Sequence, residues 1–143
     1  MKIAVKEVGK PLSIIETDEI YRTDCGKSVI GPKTTIQFIW LDTATPNTLS
    51  MAIDEDGLSK NLPQNFLIFT SSSSHPIQKI VGTAVFIKTK RASFFEPIED
   101  LEVEDLTNED IEHINTMLSE QTQNKLQSLF KDYGASATSY YIF

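Results

Sequence analysis

Residues Cys25-Gly26-Lys27-Ser28 end like a phosphate-binding loop, in which the backbone amides of a glycine-rich turn and a lysine surround a phosphate. That loop needs another glycine five residues before Gly26, and the chain has Tyr21 at that position. The pattern therefore indicates a chance match and not a nucleotide-binding loop.

A second pattern, Asp54, Asp56 and Gly57, imitates part of a calcium-binding loop, where oxygen ligands alternate around the ion and a glutamate closes the site. If Gly57 takes the glycine position of that loop, Ala52 falls on the first ligand position and Pro63 on the last. Neither residue can supply the required carboxylate. A turn is the better interpretation.

The cysteine and the histidines predict no ligand set. Cys25 is the only cysteine, which is typical of a protein in a reducing compartment, and His113 has no second histidine at a zinc-binding spacing. A catalytic pair of Cys25 with His75 would need a contact that neither sequence position predicts. We therefore expect a protein without metal, cofactor or enzymatic activity.

Carboxylates are concentrated between Ala92 and Asn124, a segment with ten acidic residues and no lysine or arginine. The remaining chain has thirteen basic and ten acidic residues, so the net charge of −7 is the sum of −10 in this segment and +3 elsewhere. Ten acids always include some pair at a distance suitable for glycoside hydrolysis, so their number is no catalytic signal. The acids are Glu96, Glu99, Asp100, Glu102, Glu104, Asp105, Glu109, Asp110, Glu112 and Glu120.

Two interpretations of this acidic segment stay open. A charge run is typically a solvated face that keeps a protein in solution. The alternative is a nucleic-acid mimic, because DNA has one charge per about 1.7 Å of axis and a helix rises about 1.5 Å per residue. A dense acidic surface can then occupy a basic groove of a partner protein. On this hypothesis the partner-binding residues are Glu96, Glu99, Asp100, Glu102, Glu104, Asp105 and Glu112.

A basic cluster, Lys88, Lys90 and Arg91, directly precedes the acidic segment, and His75 follows the serine run Ser71–Ser74. Phosphates would find donors there, so the alternative hypothesis is a module that sequesters a signalling nucleotide through these four residues. The other basic residues are scattered without an aromatic-plus-basic patch, and we expect no direct nucleic-acid binding.

The alternation of apolar residues predicts several strands. Ile3 and Val5 indicate a strand that forms a hairpin with residues 12–15. Residues 34–41 are apolar on both faces, which is typical of a central strand, and residues 47–53 are expected to pair with them antiparallel. Residues 78–89 predict one long strand.

Helices are predicted at three places. Asp18 is expected to cap a helix over residues 19–30 that ends at Gly31, and residues 62–67 indicate a single helical turn with Pro63 in its first position. Thr107 and Asp110 resemble a capping box, from which a long amphipathic helix runs to about Tyr133 with Gly134 as its cap.

No apolar run approaches the length of about 18 to 20 residues that a membrane span needs. The apolar stretch near the N-terminus is only Ile3-Ala4-Val5, too short for a signal peptide. We therefore expect a cytoplasmic protein that does not bind membranes.

Three short motifs resemble a domain-of-unknown-function family that occurs in phages, prophages and plasmids. They are Asp54-Glu55-Asp56-Gly57, Leu62-Pro63-Gln64-Asn65 and Ile80-Val81-Gly82-Thr83, and the opening strand and Leu106–Asp110 fit as well. The resemblance covers most of the chain, with departures at the serine run and in the length of the acidic segment. It brings no established catalytic residues. It implies a protein of a mobile element, made inside a bacterium and acting on host machinery.

The sequence as a whole predicts one α+β domain, with a mixed or antiparallel sheet of about five strands and a long C-terminal helix packed on it. The expected parts are a strand-rich body, an acidic connection, the helix and a tail, at residues 1–91, 92–106, 107–133 and 134–143. The tail is expected to add an edge strand over residues 138–143. The leading hypothesis is a non-enzymatic inhibitor of a host defence protein, such as a CRISPR effector or a restriction enzyme.

Overall fold

A computed structural model describes residues 1–43, 45–70, 76–90 and 101–132 of the chain. Within these residues the strands are β1 (Lys2–Lys6), β2 (Ser13–Glu16), β3 (Ile36–Trp40), β4 (Leu49–Asp54), β5 (Gln64–Phe69), β6 (Ile77–Val81), β7 (Ala84–Thr89) and β8 (Val103–Glu104). The helices are α1 (Arg22–Ile30), α2 (Asn108–Leu118) and α3 (Glu120–Asp132).

The main sheet has the order β2-β1-β7-β4-β3, with β8 paired to the end of β7. All its strand pairs are antiparallel. The predicted α+β class, the β1–β2 hairpin and the antiparallel pairing of β3 with β4 are therefore confirmed. Strands β5 and β6 form a separate two-stranded sheet.

The expected central position of residues 34–41 is not found, because β3 lies at the edge of the sheet formed by the described strands. Its apolar residues on both faces have another cause. Ile36 and Phe38 pack against the cluster under α1, while Ile39 packs on the opposite face of the sheet. Burial on two faces therefore requires a covering layer on each side, and not a strand on each edge.

The expected single strand over residues 78–89 is also wrong, because the chain breaks at Gly82. Gly82 has a φ of +72°, a left-handed conformation that glycine adopts without strain. The break separates β7, which stays in the main sheet, from β6, which pairs with β5. The expected helical turn at residues 62–67 is also wrong, because Gln64–Phe69 is the strand β5 and Pro63 precedes it.

The main sheet is covered on both faces. One face packs against α1 and includes Ile3, Val85 and Ile87. The other face includes Met51 and Phe86 and packs against the β5–β6 hairpin and α2. Alternate residues of β4 and β7 thus enter two separate cores, which explains why both strands are buried almost throughout.

The long C-terminal helix is not confirmed, because residues 108–132 form two helices. Ser119 ends α2 with an extended backbone, at a ψ of 149°. Its Oγ then accepts from the backbone N–H of Thr122 at 3.3 Å, as an N-cap does for the next helix. The break directs α3 onto β5, where Leu126 packs against Leu67.

Helix α1 ends before Gly31 as predicted but begins later, at Arg22, after an N-cap at Tyr21 instead of Asp18. The guanidinium of Arg22 lies 3.9 Å from the ring centroid of Phe38 and 4.9 Å from that of Trp40. These cation–π contacts hold the start of the helix on the edge strand.

Three expectations lie outside the described residues: the loop at Ser71–Ser74, the cap at Gly134 and the edge strand at residues 138–143. Within the described part of the chain, none of the helices has the length and apolar character that crossing a bilayer requires.

Candidate functional site

The predicted partner-binding carboxylates fall into three groups. Glu96, Glu99 and Asp100 lie outside the described residues. Glu102 and Asp105 have partners within the chain. Glu104 and Glu112 form no ion pair with another described residue.

Glu102 pairs with Lys90, at 2.8 Å between its Oε2 and the lysine Nζ. The hydrogen bond from the lysine and the nearby charge of Glu102 together raise the pKa of Lys90. The backbone of Glu102 also bridges to Tyr21, just before α1. This acid therefore has a local role where the segment enters the sheet.

Asp105 also has a structural role that the sequence pattern did not indicate. Its Oδ1 accepts from the backbone N–H of Lys2 at 2.7 Å, and the N–H of Leu106 donates to the carbonyl of Lys2 at 3.2 Å. The end of β8 is thereby joined to the start of β1. Asp105 therefore has a local role at this junction, although the hydrogen bond that it accepts is exposed to solvent.

The predicted capping box is confirmed at the start of α2. The hydroxyl of Thr107 accepts from the N–H of Asp110 at 3.1 Å, and the carboxylate of Asp110 accepts from the N–H of Thr107 at 2.9 Å. The same carboxylate forms an ion pair with Lys88, at 3.2 Å between Oδ1 and Nζ. The side chains of Lys88 and Asp110 are only 16% and 7% exposed.

The surroundings of Asp110 act on its pKa in opposite directions. Burial by itself raises the pKa, because it disfavours the charged form. The hydrogen bonds from Thr107 and the ammonium of Lys88 outweigh burial, so the pKa of Asp110 is lowered overall. The carboxylate therefore stays charged and holds both the helix cap and Lys88.

A cavity of about 370 Å³ lies beside this ion pair. It is bounded by residues that follow β3, by the end of β7 and by the first two turns of α2. The lining residues are Thr43, Thr45, Lys88, Thr107, Glu109, Asp110 and His113. Of these lining residues, only Lys88 was predicted from the sequence to bind a ligand. The other six come from two further stretches of chain, residues 43–45 and 107–113, which only the fold brings together with Lys88.

Carboxylates outnumber cations around this cavity. Glu104 lies directly opposite Lys88 in the pairing of β7 with β8, so the two side chains leave the sheet on the same face. Glu109 lines the cavity, and Asp110 is paired with the lysine. The lining therefore includes two carboxylates and one ammonium group, and Glu104 is the cross-strand neighbour of that lysine.

A metal ion does not fit this site on the basis of its ligands. Among residues 1–43, 45–70, 76–90 and 101–132, no three His, Cys, Asp or Glu side chains are close enough together to hold one. Glu109 and Asp110 are adjacent in sequence, and Asp110 already binds Thr107 and Lys88.

Of the alternative nucleotide-binding set, the structure describes Lys88 and Lys90. Lys88 and Lys90 are engaged by different carboxylates, Asp110 and Glu102. His75 and Arg91 lie outside the described residues. Of the four predicted residues, only Lys88 is among the described residues that line the cavity.

Cys25 is fully buried against the main sheet. Burial raises the pKa of the Cys25 thiol, which disfavours the thiolate that a nucleophile requires. Its candidate partner, His75, lies outside the described residues.

The three short motifs of the sequence meet in one place. The side-chain amide of Asn65 donates to the carbonyl oxygens of Lys6 and Gly82, at 2.7 and 2.8 Å. A Cβ at Gly82 would lie 2.8 Å from Leu62, and one at Gly57 would lie 2.8 Å from Val81. The motifs thus form a packed junction between the two sheets, called the motif junction below.

Within the motif junction the acidic side chain has a structural role as well. Asp54 accepts from the backbone N–H of Asp56 at 2.9 Å and pairs with Lys60 at 2.7 Å. The expected turn is therefore confirmed in place of a calcium loop, since the leading carboxylate is used within the turn itself.

Comparison with known proteins finds no match: no family model, no curated protein and no solved structure is significantly similar to this chain. The resemblance to the phage and plasmid family therefore stays a prediction from the motifs.

Proposed function

We propose that this chain is a non-enzymatic binding protein that occupies a basic groove on another protein. The surface assigned to this role is the acidic face, defined as Glu104, Glu109 and Glu112. The observation that carries the proposal is the absence of ion pairs from these three carboxylates to other described residues, although Glu102 and Asp110 each have a lysine. Charge that is not neutralised within the chain acts on its surroundings.

The acidic face lies on rigid elements. Glu104 is in β8, and Glu109 and Glu112 are three residues apart on α2, one turn from each other. The capping box and the Lys88–Asp110 pair fix the start of that helix. Because the backbone that carries these carboxylates is already ordered, only their side chains lose conformational freedom on binding, which favours a charge-complementary interface.

We assign the partner to the class of host defence proteins that bind nucleic acid, such as CRISPR effectors or restriction enzymes. This assignment rests on the motif resemblance and on the acidic segment, whose sequence also includes Glu96, Glu99 and Asp100. The inhibitor would compete with nucleic acid for the groove, so nucleic acid and this protein should exclude each other.

The test compares two triple variants that remove the same charge. The first is E104Q/E109Q/E112Q, and the control is D18N/E55Q/E120Q, which neutralises exposed acids elsewhere. Each protein is immobilised and exposed to a bacterial lysate at low and high salt, and the captured nuclease is then assayed for DNA cleavage. We expect a salt-sensitive basic partner that the control retains and the face variant loses at least tenfold.

Equal capture by the wild type and both variants would refute the proposal. Equal loss in both variants would show that net charge, and not the acidic face, determines binding. A partner that binds in the presence of saturating DNA as well as in its absence would contradict the assignment to a nucleic-acid groove.

A nucleotide-sequestering module is the second candidate function. It is favoured by the size of the cavity at Lys88, since about 370 Å³ lies within the usual range of small-ligand sites, about 300–1,000 Å³. It ranks second because Lys88 already has a carboxylate partner and Glu109 would repel a phosphate. A panel of signalling nucleotides in a thermal-shift assay tests it, since a ligand at a hundred times its Kd adds about 2.7 kcal/mol to the stability. If no nucleotide raises the Tm, this candidate is eliminated.

A further inference from the structure

We infer that the cavity beside Lys88 binds a guanidinium group, supplied by an arginine side chain of the basic partner. This inference rests on the proposed function and names the part of the protein that would recognise the partner specifically. The acidic face attracts any basic surface, whereas a cavity of defined shape and hydrogen-bonding capacity selects one kind of side chain.

The charge of the lining selects a cation. Lys88 and Asp110 neutralise each other at 3.2 Å, which leaves Glu109 as the uncompensated charge of the lining when His113 is neutral. Glu104, opposite Lys88 on β8, adds a second carboxylate to the surroundings. An anionic ligand would meet these carboxylates with no uncommitted lysine among the lining residues.

The hydrogen-bonding groups select a donor. The hydroxyl of Thr43 donates to the carbonyl of Thr45 at 2.7 Å, and that of Thr107 donates to Asp110 at 2.8 Å. Both hydroxyl protons are therefore directed into the protein, and Glu109 has only acceptors. The carboxylate of Glu109 can therefore accept from a guanidinium group, which has five N–H donors and no acceptor, while Lys88 donates to Asp110.

The spacing on α2 favours a guanidinium over an ammonium group. Glu109 and His113 are four residues apart, so they lie on the same side of the helix, and both line the cavity. A carboxylate can bind the planar guanidinium through two parallel hydrogen bonds, and an aromatic ring can stack on the same plane. An ammonium group offers neither the fork nor the plane.

The experiment titrates the protein with N-acetyl-arginine amide and follows the backbone amide signals of the cavity residues by NMR. The matched ligand control is N-acetyl-citrulline amide, which has nearly the same shape without the charge. The variant is Glu109→Gln, and its control is Glu120→Gln, an exposed acid at the start of α3. Glu109 is exposed, so its variant is expected to fold normally.

We expect saturable shifts at Thr107, Glu109 and His113 with the arginine amide, at least fivefold weaker binding by Glu109→Gln, and no change with Glu120→Gln. The lysine analogue should bind at least threefold more weakly than the arginine amide. Equal shifts with the citrulline control, or no effect of Glu109→Gln, would overturn the inference.

A second arm separates the two sources of a guanidinium group. A Lys-Lys-Arg-Lys-Lys peptide should bind at least tenfold more tightly than the arginine amide at low salt, because its lysines also meet the acidic face. Tighter binding of the small amide would identify a free guanidino compound as the ligand and contradict an arginine of a partner.

This experiment and the capture experiment fail independently. Shifts at the cavity without any captured basic protein would reject the proposed function alone. Capture that the triple variant E104Q/E109Q/E112Q loses and the single variant Glu109→Gln retains, with no shifts at the cavity, would reject this inference alone.

Discussion

The side-chain amide of Asn65 donates to the carbonyl oxygen of Gly82 at 2.8 Å, and the same nitrogen donates to the carbonyl oxygen of Lys6 at 2.7 Å. One side chain therefore joins the end of β1, the start of β5 and the break between β6 and β7. The Nζ of Lys6 donates back to Asn65 Oδ1 at 3.1 Å, so both polar atoms of the Asn65 side chain have partners.

Replacement of Asn65 by alanine should destabilise the whole domain, because it removes two hydrogen bonds to backbone carbonyls that are partly buried. We expect a loss of about 2 to 4 kcal/mol in the free energy of unfolding, from about 1 to 2 kcal/mol for each bond. Urea denaturation measures it. Replacement of the exposed neighbour Gln64 by alanine is the control and should change stability by less than about 0.5 kcal/mol. Equal losses in both variants would contradict the role of Asn65.

Gly82 and Gly9 offer a comparison between backbone strain and side-chain contact. Their φ angles are +72° and +73°, so an alanine at either position pays the same conformational cost, about 1 to 3 kcal/mol. A Cβ at Gly9 meets no atom within 4 Å, whereas one at Gly82 would lie 2.8 Å from Leu62 Cδ1. We expect Gly82→Ala to lower the Tm more than Gly9→Ala. Similar Tm values would show that Leu62 moves aside freely.

Acidification should weaken the fold through Asp110. Because the folded-state pKa of Asp110 is lowered, its stabilising effect is present above the ordinary aspartate value, about 3.9, and is lost as the pH falls through the folded-state pKa. The free energy of unfolding of the wild type should therefore fall below about pH 4 more steeply than that of Asp110→Asn. Urea titrations between pH 6 and 2.5 give both slopes. Parallel curves would remove Asp110 as a source of the pH dependence.

Gln123 takes the place of a neighbouring strand for β5. Its Oε1 accepts from the N–H of Leu67, and its Nε2 donates to the carbonyl of the same residue, each at 2.9 Å. Replacement of Gln123 by alanine should free this strand edge and loosen α3. We expect faster hydrogen exchange of the Leu67 amide by at least tenfold. Gln127→Ala, at an exposed position of the same helix, should leave that exchange rate unchanged.

Several elements follow directly from local patterns. The alternation around Ile3 and Val5 predicted β1, and Gly31 marked the end of α1. The capping box of Thr107 and Asp110 was predicted because it depends on two residues three positions apart. Each of these features was recognisable from residue types that lie within a few positions of one another.

The predictions that failed concern how elements are placed. Ser119 looks unremarkable in sequence, yet it divides the C-terminal helix because α3 must turn to reach β5. Gly82 sits in a stretch of apolar alternation, and the strand breaks there because the chain must pass from the hairpin into the main sheet. Local periodicity contains no information about which sheet a strand joins.

The candidate site shows the same division. The sequence by itself determined the surplus of carboxylates, the cap of α2 and the presence of Lys88 beside the acidic segment. Only the tertiary structure decided which carboxylates have partners, because Lys90, Lys88 and the backbone amide of Lys2 reach Glu102, Asp110 and Asp105 through contacts between separate parts of the chain. It also decided that residues 43, 45, 88 and 107–113 share one cavity, since a cavity is bounded by elements that sequence spacing does not relate.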